Sequence, residues 1–248
     1  MMIKAGEILA MANAFPYSTL EERLGGGGIV VIAPHPDDES LACGGLIAEA
    51  RAQGRPVRVV IASDGSGSHP ASKTYPKARL TDLREHEARQ AVAELGLDAS
   101  HDLVFLRLPD RFVPSKGASA DRAVSKIVAI IRDVGAQALF VSWRHDPHCD
   151  HQASYRLARA VQRCVPCIKL FEYTVWVSAL PPDTPLEAPC RGFRIPIGRW
   201  RQKKQRAIAA HRSQTTDLIA DDPSGFCLTA SDLARFDLPY ESFFESDE

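Results

Sequence analysis

Residues 34–39 read PHPDDE and come directly behind the apolar run IVVIA at 29–33. Three carboxylates and an imidazole crowded against the end of a buried strand demand either water or a bound cation. His35, Asp37 and Asp38 mix one borderline nitrogen donor with hard carboxylate oxygens, the combination used by catalytic zinc and non-haem iron centres. A second cluster of this kind, His145, Asp146, His148, Asp150 and His151, immediately precedes a helix expected from Gln152 onward. A three-ligand site assembled from His35, Asp38 and His151 leaves one coordination position open for water, which catalysis needs and structural zinc avoids. Asp37 and His148 then stand beside that water as base and acid. Taken singly, each cluster has a plainer explanation: acids before a helix act as caps with favourable dipole charge, and a lone histidine is a hydrogen-bonded structural residue.

Positioning such clusters takes a sheet. The runs IVVIA (29–33), VRVVIAS (57–63), LVFLRL (103–108), ALFVSW (138–143) and KLFEYTVW (169–176) are short, β-branched and nearly continuous, as in parallel strands buried on both faces. Between them LACGGLIAEARAQG, LTDLREHEARQAVAELGL, ASADRAVSKIVAIIRDVG and HQASYRLARAVQRC carry apolar residues at helical spacing, three of them stopping at or near Gly54, Gly96 or Gly135. The repeat predicts an α/β protein with a Rossmann-like, doubly wound, mostly parallel sheet and helices on both faces. Ligands of such sheets bind beyond the carboxyl ends of the strands, near the point where the winding reverses. PHPDDES, SDGSGSH, LPDR and RHDPHCDH each fall at a strand end. Their convergence on one rim favours the cation over the plainer explanations.

The repeat and the segments behind it suggest one domain over 29–216, preceded by an amphipathic N-terminal arm (1–28) that ends in a flexible hinge at Gly25 to Gly28. A C-terminal tail (217–248), mixing aromatics with acids, is expected to pack on or near the domain. Behind Trp176 the proline-rich stretch SALPPDTPLEAPCRGFRIPIG predicts a loop with an edge hairpin around FRIPI, and WRQKKQRAIAAHRSQ a basic helix. With 45% hydrophobic and 25% charged residues the chain can bury a sizeable core. Thirty basic against 31 acidic residues leave a net charge of -1, so no global field points to nucleic acid or an anionic membrane. The apolar stretch ILAMANAF is far too short for a transmembrane segment and poorly flanked for a secretory signal, which favours the cytoplasm. Six cysteines are too sparse for a disulfide scaffold. Cys164 and Cys167 in CVPC have redox or zinc spacing but no second such pair, and are expected to be ordinary buried or half-buried thiols. A homo-oligomer is left open.

PHPDDE followed far downstream by HCDH resembles the paired signature of the LmbE-like (PIG-L) family of metal-dependent N-acetylglucosaminyl deacetylases. RLTDLREHEARQAVAELGL, LRLPD and AIAAHRSQ are similar, less specifically, to three further segments of that family, so the likeness spans residues 29–216. It implies that His35, Asp38 and His151 bind zinc, that Asp37 is the general base, and that His148 is an imidazolium that polarises the tetrahedral intermediate and helps the amine leave. Asp150 is expected to orient one of the histidines through its free ring nitrogen. Arg84 and Asp110 match positions that contact sugar hydroxyls. His211 either reaches the site or caps its helix as a cation. Pro34 and Cys149 stand where alanine and proline are common, and the second puts a thiol near the metal. The implied substrate is a small amino-sugar conjugate, and the implied reaction removal of its N-acetyl group. Histidine and aspartate donors also suit iron or manganese.

Other readings are weaker. VRVVIASDGSGS superficially matches a methyltransferase or dinucleotide loop, but the full G-x-G-x-x-G is missing and both acidic/His clusters go unused. A sugar- or metal-binding module without chemistry does not explain why the base, the acid and three ligands occur together. A metal amidohydrolase acting on a non-sugar amide shares the same reacting residues. The long polar loop behind SDGSGSH suits a lid or a sugar subsite.

Overall fold

The chain opens with strand β1 (Met2–Lys4) and helices α1 (Ala5–Asn13) and α2 (Leu20–Leu24), then alternates β2 (Gly28–Ala33), α3 (Asp38–Ala52), β3 (Val57–Ser63), α4 (Lys77–Glu94), β4 (Leu103–Leu108), α5 (Ala118–Asp133), β5 (Ala136–Ser142), α6 (Cys149–Cys164) and β6 (Lys169–Tyr173). There follow β7 (Pro185–Glu187), β8 (Gly192–Pro196), α7 (Arg201–Ala210), α8 (Arg212–Thr215), α9 (Ala230–Phe236) and β9 (Tyr240–Glu245). The computed structural model describes residues 2–187 and 191–246. Cys190 lies outside them; the other five cysteines are unpaired, and Cys164 and Cys167 prove exposed rather than buried.

One mixed sheet of seven strands, ordered β4-β3-β2-β5-β6-β9-β8, carries the fold. Its first five strands are parallel, and the direction of winding reverses between β2 and β5. Every residue of β2 and β3 is buried, because helices cover both faces. Val31, Val59 and Ile61 pack with Leu46 of α3 and Val92 of α4 on one side. Val30, Ile32 and Val60 pack with Ile127 of α5 and Val161 of α6 on the other. Each such side chain contributes about 1.5–3 kcal/mol of burial, so the central strands are held from both sides and their carboxyl ends are fixed in space.

The antiparallel extension differs from a local hairpin. β8 does form an edge strand at FRIPI, but its partner is β9 from the chain's last segment, which lies between β6 and β8. Phe243 and Phe244 of β9 are both buried, one in the main core and one against Trp143 and α1, so apolar burial draws this strand inward. The glycine run before β2 is likewise pinned rather than loose. The Arg55 guanidinium donates to the carbonyls of Gly25 and Gly27 and to Glu21, and Gly28 already belongs to β2. A Cβ at Gly28 would sit 2.9 Å from the carbonyl oxygens of Pro56 and Val134. Among the described residues no helix is long and apolar enough to cross a membrane.

Candidate active site

Three donor atoms from the ends of β2 and β5 face a common point. His35 occupies the turn after β2, Asp38 opens α3, and His151 sits in the first turn of α6. His35 Nδ1 lies 3.4 Å from Asp38 Oδ2, His151 Nε2 lies 3.3 Å from the same oxygen, and the two nitrogens are 3.3 Å apart. Four donors around a tetrahedral ion with zinc-like bond lengths are separated by about 3.3–3.4 Å. The triangle therefore fits one face of such a polyhedron, and its mixed nitrogen and carboxylate donors suit zinc, iron or manganese.

The outer ring nitrogens meet carboxylates. His35 Nε2 is 3.2 Å from Asp150 Oδ2 and 3.4 Å from Asp110 Oδ1. His151 Nδ1 is 3.3 Å from Asp146 Oδ2, an ion-pair contact that is not aligned as a hydrogen bond. Asp150 thus addresses His35, and Asp146, with no role assigned from sequence, addresses His151. Both arrangements turn the inner nitrogen's lone pair toward the shared point. Burial disfavours the imidazolium of His35, yet Asp110, Asp150 and Asp38 together hold it well above its ordinary value. His151 is raised to about 9, Asp38 and Asp146 outweighing burial in the same way. Asp38 is held well below the usual carboxylate range, the histidines overcoming the burial that would raise it. Both shifts have one cause, buried carboxylates that favour positive charge at this point.

Asp37 stands at the N-cap position of α3, but its carboxylate makes no cap bond. Its Oδ2 lies 3.3 Å from Arg84 Nη2, and its backbone N–H donates to Glu39 Oε2 at 3.0 Å. Burial, partly offset by Arg84, pushes Asp37 up to about 6, a value suited to a base near neutral pH. His148 stands opposite with its ring edge to His35, centroids 4.6 Å apart. The resemblance implies an imidazolium at this position. His148 caps α6, its Nδ1 accepting the Asp150 N–H at 3.2 Å, and a nitrogen that accepts carries no proton. Burial and then the charges of His35 and His151 push it down to about 4. Around these groups lies a pocket of about 430 Å³ whose walls include Ser68, Arg111, Trp176, Gln214 and Phe226. Trp176 and Phe226 meet edge to face at 5.5 Å.

The model of the PIG-L family, described as GlcNAc-PI de-N-acetylase, matches residues 30–162. The chain belongs to this family. A probable N-acetyl-α-D-glucosaminyl L-malate deacetylase 2 of Bacillus cereus is 30% identical over 198 residues, covering 78% of this chain and 86% of that protein. The N,N'-diacetylchitobiose deacetylase of Pyrococcus horikoshii superposes with a TM-score of 0.61 at 19% identity, over 86% of this chain and 79% of its own. The 4-carboxy-2-hydroxymuconate hydratase GalB of Pseudomonas putida also reaches 0.61, at 20% identity over 74% and 78% of the two chains. The fold by itself therefore does not choose the reaction, and the PIG-L match and the site must.

The remaining residues that the PIG-L resemblance singles out are placed less simply. Arg84 lies well inside α4, fully enclosed, donating to the carbonyls of Gly65 and Pro36 at 2.9 Å each. Its Nε lacks a partner, and the side chain faces Asp37 and also lines the pocket. Asp110 lines the pocket but accepts the Gly67 N–H at 2.7 Å in addition to facing His35. With Ser66 N–H also taken, by Asp64, the SDGSGS loop offers its amides to carboxylates rather than to a phosphate. His211 does not line the pocket. It sits at the break between α7 and α8, buried behind Asp37, and donates to Glu39 Oε1 at 2.9 Å. Glu39 joins His211 to the Asp37 backbone, a link that no local pattern announces. The loop behind β3 is pinned from the chain's far end, Asp221 and Asp222 accepting amides of residues 71, 73 and 74. Cys149 is exposed, and burial and then Asp150 push its thiol up, which makes it a poor nucleophile.

Proposed function

We propose that the protein is a metal-dependent hydrolase that removes the N-acetyl group of an N-acetylglucosamine-type sugar or its conjugate. The observation that carries the metal is the 3.3–3.4 Å triangle of His35 Nδ1, Asp38 Oδ2 and His151 Nε2. The relatives named as N-acetylglucosaminyl deacetylases carry the substrate class. His35, Asp38 and His151 would hold a divalent ion, zinc above iron or manganese, which supplies an acidified water and polarises the acetamide oxygen. Asp37, outside that triangle, accepts the proton of the attacking water and returns it to the departing amine. Arg84 keeps the Asp37 carboxylate in place from within α4. His148 donates its Nε2 proton as a neutral hydrogen-bond donor to the oxygen that gains charge, an arrangement worth a few kcal/mol. Trp176 and Phe226 form an apolar wall for the sugar face. The order β4-β3-β2-β5-β6 supports a Rossmann-like, doubly wound description, with the site at the reversal between β2 and β5.

The test is acetate release from methyl N-acetylglucosaminide and N,N'-diacetylchitobiose, before and after exhaustive chelation, with metal content measured on the same samples. Activity should track bound metal. Turnover that survives complete metal removal, or a metal-replete protein that releases no acetate from any N-acetylated amino sugar, overturns the proposal.

A further inference from the structure

The cations of this nearly neutral chain are unevenly spent. In the basic stretch around α7, Arg199 pairs with Glu49, Arg201 with Asp237, Lys204 with Glu241 and Arg206 with Glu94. At the carboxyl end of β4 one cation, Arg107, pairs with Glu85, but three others there are unspent. A second groove of about 640 Å³ lies between that strand end and the first turns of α5, and Lys116, Arg122 and Lys126 line it. None of the three makes an ion pair among the described residues, and no acidic side chain lines the groove. Arg122 and Lys126 are one helical turn apart and present their charges on the same face.

This groove abuts the catalytic pocket. Asp110 and Arg111 line the pocket, whereas Pro109 and Phe112, the residues on either side, line the groove. The turn is braced, because the Asp150 carboxylate accepts the N–H of Arg111 at 2.6 Å and of Val113 at 3.0 Å. Arg111 adds a fourth unpaired cation at the boundary. Inside the pocket, by contrast, Asp37, Asp38 and Asp110 make a poor environment for a second anion.

We infer that the groove between β4 and α5 is a subsite for an anionic group, phosphate or carboxylate, borne by the portion of the substrate beyond the amino sugar. The substrate class is then a negatively charged N-acetylglucosamine conjugate whose sugar sits at Asp37 and whose charge lies past Arg111. This rests on the deacetylase reading above and adds to it the chemistry of the attached group.

The experiment compares kcat/KM at low salt for two neutral probes, methyl N-acetylglucosaminide and N,N'-diacetylchitobiose, with two anionic ones, N-acetylglucosaminyl malate and UDP-N-acetylglucosamine. The readout is the anionic-to-neutral ratio in the native protein, in Arg122→Glu/Lys126→Glu, and in Lys203→Glu/Arg206→Glu, which changes net charge equally on another face. The native ratio should be about tenfold or more for at least one anionic probe, expressed in KM and falling with ionic strength. It should collapse in the α5 variant and persist in the α7 variant. The malate and nucleotide arms tell carboxylate from phosphate. Equal handling of charged and neutral probes, a preference that survives in the α5 variant, or an equal loss in both variants overturns the subsite while leaving the deacetylase standing. No turnover of any probe by metal-replete protein overturns the deacetylase reading and the subsite with it.

Discussion

Asp146→Asn isolates the support of a single histidine of the proposed metal site. The carboxylate serves three donors: Oδ1 accepts the His148 N–H at 3.0 Å, and Oδ2 accepts the Trp176 N–H at 3.0 Å while facing His151 Nδ1 at 3.3 Å. An asparagine is nearly isosteric but has one acceptor oxygen and one NH2 group. Whichever way it turns, the NH2 points at a donor, and its amide brings no negative charge to His151. Loss of a hydrogen bond to a charged group costs about 1.5–3 kcal/mol. The contact to His151 is long and poorly aligned, so the lower end applies, and with about 1.4 kcal/mol per tenfold in affinity the metal should bind about tenfold more weakly. That agrees with the usual effect of removing a carboxylate behind a metal-bound histidine. Competition of metal-free protein against a fluorescent zinc chelator measures the affinity, and a thermal melt followed by circular dichroism verifies the fold. An affinity within twofold of native, in a protein that melts normally, would refute the idea that Asp146 supports His151.

Four further expectations follow from the same geometry. Asp37→Asn should retain metal, because its carboxylate stands outside the donor triangle, and should lower kcat by at least about 100-fold, the scale of a lost general base; near-native turnover in a stopped acetate assay removes Asp37 from the chemistry. Because burial raises Asp37 to about 6 and the base must be ionised, activity should rise with pH through a limb at or below that value, a bound cation only lowering it; a limb above pH 7 contradicts the assignment. His211→Ala strands the buried Glu39 carboxylate and should cost about 3–5 kcal/mol in urea unfolding, whereas His211→Gln, which keeps an N–H donor, should recover part of it. Although burial lowers the His211 pKa, Glu39 raises it further, so the stability it confers is complete below its ordinary 6.5 and is lost as pH climbs through the raised value; His211→Gln should flatten that decline, and parallel curves for the two proteins would exclude it.

The residues that face the metal point were legible because each half of the set is local. His35 and Asp38 are three residues apart in one strand-end turn, and His151 opens a helix whose start the acids before it mark. The parallel strands were legible for a related reason, since burial on both faces leaves a continuous apolar run that needs no partner to be recognised. What each histidine leans on was not. Asp150 reaches back to His35, Asp146 to His151, and His211 to Glu39, across sequence distances that only the folded sheet closes. Nor was the capping of α6 by His148, a backbone contact that side-chain chemistry alone does not reveal.

The sequence by itself determined an α/β repeat and a concentration of histidine and aspartate at strand ends, because periodicity and donor type are properties of short segments. Tertiary structure alone decided that β9 enters the sheet beside β6, that Arg84 is enclosed behind Asp37, and that most cations around α7 are ion-paired while Arg122 and Lys126 of α5 make no ion pair among the described residues. The physical reason is the same in each case: burial and pairing depend on which distant surface arrives opposite a residue, and a single chain read in order does not contain that surface.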